Sequence, residues 1–262
     1  MRIDAYLVKN KIVSGRERAK EHVKNGDVLV NGAVVIKPAY DVSAEDKVEF
    51  IGERLKYVGR GGLKLEKAVS EFVLRLDGKV CLDIGASTGG FTDCMLKNGA
   101  AFVYAVDVGT GQLDESLARD SRVKNMEKTN FADTTPADYV PAPEFISADV
   151  SFVSLKVIIP RLMEIMPENG SAVLLIKPQF EAGRANIGKG GIVKDRKVHV
   201  SVINDIISFC RLSGAAVCGL TYSPVTGGDG NIEYLLYIKS GSAEDRAVDV
   251  KKVVTDAFSG LR

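Results

Sequence analysis

The sequence has no tryptophan, only two histidines and only four cysteines in 262 residues. The cysteines, at 81, 94, 210 and 218, form no CxxC pair. With so few histidines a structural zinc finds no ligands at familiar spacing, and free thiols in a reducing cytosol are the simpler reading. No apolar run approaches the roughly 18–20 residues that span a bilayer. Arg2, Asp4 and Lys9 interrupt the N-terminus where a secretion signal needs an apolar core. The expectation is a cytoplasmic protein with no membrane partner and no bound metal. Charge of one sign is also missing: the formal net charge is +1, so the whole chain does not announce a polyanion partner.

Charge is nevertheless uneven. Residues 1–40 hold eight Lys or Arg and four acids, a net of +4. A small basic module on a near-neutral body is a local electrostatic footprint. Within it, "MRIDAYLVKN" and "SGRERAKEHVKNG" read as two helices, the second with a possible cap at Ser14 and a stop at Gly26. "DVLVNGAVVIKP" is two β-rich runs around Asn31-Gly32, the strongest short hairpin signal. "DVSAEDKVEF" returns as another strand. Residues 1–56 are therefore expected to form a small α+β domain, residues 57–62 a glycine-rich linker, and residues 63–262 a larger domain.

In the larger part, strands alternate with helices. Strands are expected at 80–84, 102–107, 123–126, 145–149, 171–177, 216–223 and 234–239. Helices are expected at 63–75, 90–98, 112–119, 154–166, 196–212 and 244–258. Such alternation implies an α/β fold with a mostly parallel sheet covered on both faces. The turn Gly227-Gly228-Asp229-Gly230 suggests that the last strand runs antiparallel.

The stretch "VCLDIGASTGGFTD", residues 80–93, carries an apolar strand into a glycine-rich turn. Ligands of open α/β sheets bind outside the C-terminal ends of the strands, and residues without Cβ let backbone N–H groups approach them. The next strand ends at Asp107, where a carboxylate can accept hydrogen bonds from ribose hydroxyls. The pattern Gly85-x-Ser87-x-Gly89-Gly90 misses the second glycine of GxGxxG, which disfavours a pyrophosphate at the helix start. Asp83 at the strand end suits a cationic amino group. These features favour S-adenosylmethionine over NAD.

Four more ionisable residues stand at strand ends or a helix start: Lys64 after "GRGG", Asp149 in "ADVSF", Lys177 in "LLIKPQF" and Glu233 in "GNIEYLLYI". A ribose hydroxyl is a poor nucleophile until its proton is removed. A lysine removes it only as the neutral amine, and neighbouring charges and burial tune that form. Two lysines with two carboxylates are thus a tunable proton-abstraction set, with Lys177 as base. Methylation at a base carbon would call for a cysteine nucleophile, and no cysteine lies at a late strand end.

From "GRGGLKLEKA" through "LDIGASTGGFTD", "AVDVGTGQL", "KTNFAD", "ADVSFVSL", "LIKPQFEAG", "GKGGIVKD" and "GNIEYLLYI", the chain resembles the TlyA (hemolysin A) family of ribosomal RNA 2′-O-methyltransferases. The likeness covers almost the whole length, in the family's order. It implies a Rossmann-like class I methyltransferase domain of FtsJ type, preceded by an S-four-like αL RNA-binding module. It implies a catalytic Lys-Asp-Lys-Glu set on Lys64, Asp149, Lys177 and Glu233. Its S-adenosyl-L-methionine contacts fall on Asp83, Gly85, Ser87, Gly89, Gly90, Asp107 and Asn130. The partner it implies is ribosomal RNA within ribosomal subunits, with cytidine as the methylated nucleotide.

Arg2, Arg16, Arg18, Lys20 and Lys24 of the basic module are the expected phosphate contacts. Such contacts position RNA without reading its sequence. Arg184 and Lys189, in "GRANIGKGGIVKDRK", form a second basic element after the Lys177 strand. A membrane-active cytolysin, an RNA-binding protein without activity and an NAD oxidoreductase are the rival functions. The first lacks an apolar span or a strongly amphipathic basic helix, and the intact four-residue set argues against the second.

Overall fold

The computed structural model describes residues 1–10, 12–13, 15–52 and 56–261, with only the backbone described at 17 and 18. It divides into two compact units, Met1–Val58 and Gly59–Arg262.

The first unit opens with helices α1 (Ile3–Lys9) and α2 (Arg16–Lys24), followed by strands β1 (Val28–Val30), β2 (Ala33–Val34) and β3 (Val48–Phe50). Ile3 and Leu7 of α1 stand four residues apart, as do Ala19 and Val23 of α2. Both pairs therefore face one way and close a core with Val28, Val30, Val35 and Val42. β1 is central and antiparallel to both neighbours. Asn31 (φ 51°) and Gly32 (φ 81°) make the hairpin, both in the left-handed region that a tight two-residue turn requires. Gly26 stops α2 at φ 82°. The cap expected at Ser14 falls outside the described residues.

The second unit begins with α3 (Gly61–Glu71), β4 (Val80–Ile84), α4 (Gly90–Lys97), β5 (Phe102–Val106), α5 (Glu115–Ala118), β6 (Val123–Met126) and β7 (Phe145–Ala148). It continues with α6 (Leu155–Ile165), β8 (Ser171–Ile176), α7 (Pro178–Glu181), α8 (Arg196–Leu212), β9 (Ala216–Tyr222), β10 (Tyr234–Lys239) and α9 (Val250–Gly260). The strands form one sheet in the order β6-β5-β4-β7-β8-β10-β9. β4 to β8 run parallel, and β10 lies antiparallel to both β8 and β9, as the glycine turn before it suggested. On one face Leu82, Tyr104, Ile146, Leu174 and Leu236 pack into a core with α6, α8 and α9. The alternate residues Cys81, Val103, Val173, Leu175 and Leu235 are buried as well. Burial on both faces explains why these strands read as continuous apolar runs. The chain order reverses between β4 and β7, so the ligand crevice of such a sheet lies outside the ends of those strands.

Helix ends differ from the sequence reading for identifiable reasons. α3 stops at Glu71, because Val73 turns left-handed at φ 52° and stands 79% exposed. α5 starts only at Glu115: the Glu127 carboxylate takes the backbone N–H groups of Gly111, Gln112 and Leu113, holding them as a loop. α9 starts at Val250, because the preceding residues are tied to β9: the Val217 N–H donates to the Asp245 carboxylate at 2.8 Å and the Arg246 N–H to the Val217 carbonyl at 2.7 Å. α7 was not foreseen; Pro178 at its first position ends β8 and starts the turn.

Candidate active site

The four rim residues expected to carry chemistry converge. Lys64 Nζ lies 2.6 Å from Glu233 Oε2 and 3.5 Å from Asp149 Oδ2. Lys177 Nζ lies 2.5 Å from Asp149 Oδ1 and donates to Ser151 Oγ at 2.9 Å. Asp149 is thus shared, one oxygen to each lysine. Lys64 (8% exposed), Lys177 (7%) and Glu233 (2%) are nearly closed off from solvent. Each position follows from the fold: Lys64 from the first turn of α3, Asp149 from the end of β7, Lys177 from the end of β8 and Glu233 from the residue before β10. Burial pulls the Lys64 ammonium down, but the charges of Asp149 and Glu233 and their hydrogen bonds outweigh it, so its pKa rises above the ordinary lysine value. Lys64 therefore remains a cation at neutral pH.

Sequence reasoning missed several neighbours. The Ser151 hydroxyl meets Lys177. Gln179 Nε2 approaches Glu233 Oε1 at 3.5 Å. Glu181 accepts from the Ser154 hydroxyl at 2.6 Å and from the Leu155 N–H at 2.8 Å. All three lie inside motifs already singled out, "ADVSFVSL" and "KPQFE", so their proximity in sequence to Asp149 and Lys177 was the available signal. Phe152 follows Ser151, 91% exposed and left-handed at φ 64°, with its ring 5.0 Å from that of Phe180. A bulky exposed side chain on such backbone is a conformation that something must hold.

The glycine turn lies beside this cluster, but its glycines serve the chain's own packing. A Cβ on Gly85 would strike the Asp149 carbonyl oxygen, and one on Gly89 would strike Leu117 and lie 2.8 Å from Leu113. Both residues also hold left-handed backbone, at φ 81° and 92°. A Cβ on Gly90 would lie 2.9 Å from the Gly62 N. Asp83 is fully buried beneath the turn and accepts from the Thr92 and Ser147 hydroxyls at 2.7 and 2.9 Å. Burial raises its pKa to about 6 despite those hydrogen bonds. Asp107, at the end of β5, accepts from the Ser87 N–H at 2.8 Å and the Gly109 N–H at 2.7 Å. Asn130 is exposed and accepts from the Ala132 N–H at 3.2 Å.

Of the basic residues, Arg16, Lys20 and Lys24 recur every four positions and share one face of α2. Arg2 is committed to Asp4 through two hydrogen bonds of 3.1 and 2.7 Å. The Arg18 side chain lies outside the described residues. Arg184 and Lys189 are exposed. The loop carrying Lys189 is fastened by Asn231, which accepts from the Val193 N–H and donates to the Gly191 carbonyl at 3.0 and 2.9 Å. His199, fully buried, bridges the Val193 carbonyl and the Tyr234 hydroxyl. Among the described residues no helix is long and apolar enough to cross a membrane.

Residues 57–240 match the FtsJ-like methyltransferase family, and residues 1–48 match the S4 domain. The chain is 48% identical over 238 residues to YqxC of Bacillus subtilis (strain 168), provisionally named as an rRNA methyltransferase; the match covers 90% of this chain and 85% of that one. It is 37% identical over 251 residues to TlyA of Mycobacterium tuberculosis (strain ATCC 25618 / H37Rv), named a 16S/23S rRNA (cytidine-2′-O)-methyltransferase, with 95% and 93% covered. A solved structure from Streptococcus thermophilus, provisionally named a hemolysin, is 44% identical with a TM-score of 0.81, covering 100% of this chain and 96% of that one.

Proposed function

We propose, for a chain that belongs to the FtsJ-like methyltransferase family, transfer of a methyl group from S-adenosylmethionine to the 2′-OH of a cytidine in ribosomal RNA. The observation that carries this reading is the set of two buried lysines, buried Glu233 and half-buried Asp149 beside the glycine turn. It suits removal of a hydroxyl proton. A reaction at a base carbon would need a nucleophile there, and the cysteines Cys81, Cys94 and Cys210 are buried in the core.

The residues at the turn fit the cofactor. Two carboxylates, Asp83 beneath it and Asp107 beside it, give the site a negative field that suits a cation and opposes a pyrophosphate. Asp107 would accept hydrogen bonds from the ribose hydroxyls. Its oxygens keep lone pairs free after meeting the Ser87 and Gly109 N–H groups. The backbone of 85–90 would line the site, and Asn130 would stand at its edge. Bound S-adenosylmethionine supplies a methyl group on a sulfonium, activated for displacement.

Lys177 is the base. In its neutral form it accepts the 2′-OH proton on Nζ as the oxygen takes the methyl group. Lys64 does not compete for that role, since it stays protonated; it holds Glu233 and Asp149 in register. Asp149 orients Lys177, and Gln179 steadies Glu233. With Lys177 neutral the cluster carries one excess negative charge, complementary to a sulfonium. Phe152 offers a face for stacking a base beside Lys177, as exposed aromatics do for unstacked RNA bases.

The S4 domain, with the α2 face of Arg16, Lys20 and Lys24, and the loop residues Arg184 and Lys189 meet RNA phosphates. The substrate is ribosomal subunits, and the protein acts in the cytoplasm. Incubating purified subunits with methyl-labelled cofactor, then mapping the label, tests the proposal. Label at a cytidine 2′-O, blocking alkaline cleavage at that linkage, is the expected result. Label on a base, or none on any subunit, overturns it.

A further inference from the structure

The Lys177 amine has a property that the four-residue set alone does not give it. A neutral amine has two N–H bonds and one lone pair, distributed about the Nζ–Cε bond. It works as a base only when the lone pair faces the incoming hydroxyl. Asp149 Oδ1, the ion-pair partner at 2.5 Å, holds one side of the amine. That leaves two positions and nothing in the set to choose between them. Ser151 Oγ, at 2.9 Å, occupies one as an acceptor.

We infer that Ser151 is a positioning residue which, together with Asp149, turns the lone pair of Lys177 toward the substrate hydroxyl. This rests on Lys177 being the base. With one N–H taken by Ser151 and the Asp149 carboxylate against a second side, the lone pair is left in the remaining direction.

The loop that presents Ser151 is held as this role demands. Its leading end is tied where the Asp149 N–H donates to the Ile84 carbonyl at 2.9 Å. Its trailing end is tied by Glu181 through Ser154 and Leu155, at 2.6 and 2.8 Å. Glu181 belongs to α7, which begins immediately after Lys177. The loop and the lysine therefore share one brace. Between the ties, Phe152 holds left-handed backbone at φ 64°. Ser151 itself is exposed, whereas Lys177 is only 7% exposed, so the hydroxyl links the buried amine to a loop at the surface. A group locked by such second contacts is pre-organised, not merely close.

The test is the pH–rate profile of full-length Ser151→Ala, Ser151→Thr and Lys177→Ala on ribosomal subunits, with cofactor affinity by calorimetry. The expected plateau of kcat for Ser151→Ala is roughly 3–30-fold lower, the range for one lost hydrogen bond to an ionisable group. KM and cofactor affinity stay within about twofold, a bound set by the absence of any expected binding contribution. Ser151→Thr, which keeps the hydroxyl, restores the plateau.

An unchanged plateau in Ser151→Ala, with Lys177→Ala inactive, overturns the inference and leaves Lys177 as base. A lowered plateau accompanied by an equal loss in KM or cofactor affinity, or one that Thr does not restore, means a purely structural residue and also overturns it. Lys177→Ala with near-normal turnover removes the base itself, and the Ser151 role with it.

Discussion

Asp83 illustrates how a single side chain can be kept at a cost to the fold. It has no exposure, its two hydroxyl partners only partly offset burial, and its pKa climbs from 3.8 to about 6. The sign follows from linkage. Between about pH 4 and 6 the folded chain binds the proton more tightly than the unfolded chain, so this group's contribution to stability falls as pH rises through that window. The order of magnitude is about 3 kcal/mol above pH 6, from roughly two pH units at 1.36 kcal/mol each. Asp83→Asn, neutral at every pH, should match or exceed the wild-type melting temperature at pH 7 and lose most of the stability change between pH 4 and 6. It should also bind S-adenosylmethionine more weakly, since the negative field beneath the turn is gone. Thermal melts at several pH values, paired with calorimetry, check both halves. A variant less stable at pH 7 with unaltered affinity would make Asp83 an ordinary brace between α4 and β7.

Among the elements, the turn before β10 is the most exacting. A Cβ on Gly227 would lie 2.6 Å from Glu233 Oε1 and 3.3 Å from its Cδ. That carboxylate is 2% exposed and pinned by Lys64, so it has little room to yield. Gly228 next door has open space about it. Gly227→Ala should therefore cut turnover by about 10²-fold, the scale of an ångström-level misplacement, while Gly228→Ala leaves it near normal and both keep cofactor affinity. Equal turnover in the two variants would show that Glu233 tolerates displacement. This contact also marks the limit of what the sequence carried. The strands were legible because apolar runs ended at charged or glycine residues, and the rim residues because Asp149 and Lys177 stood where such runs stopped, Glu233 where one began and Lys64 at a helix start. That Gly85 and Gly89 also clear space for Asp149 and Leu117 was not legible, because those partners are distant in sequence. The Glu127 carboxylate that holds residues 111–113 out of α5 was invisible for the same reason: its partners lie 14–16 residues away, at no helical or strand spacing.

At the scale of the whole molecule, the charge asymmetry of the chain divides labour between its two units. The cluster of Lys64, Asp149, Lys177 and Glu233 carries no cation free for phosphate, since both of its lysines are engaged with carboxylates. Affinity for a polyanion must then come from elsewhere, and the α2 face, with Arg16 and Lys24 both exposed, is a ready source. Glu17 and Glu21 interrupt the sequence of α2, but Arg16, Lys20 and Lys24 keep to one stripe, so the basic face survives at helical spacing. Charge reversal at Arg16 and Lys24 together should weaken binding to ribosomal subunits and flatten its dependence on salt. Each lost phosphate contact lowers the logarithmic slope by about 0.7–0.9. Calorimetric affinity for S-adenosylmethionine should be unchanged, because every residue proposed for that site lies within Gly59–Arg262. Subunit binding measured across a salt series separates the two effects. An unchanged salt slope in the double variant would take the α2 face out of the RNA surface and leave the phosphates to Arg184, Lys189 and their neighbours. Reduced cofactor affinity would mean that the basic module acts on the catalytic unit as well as on RNA.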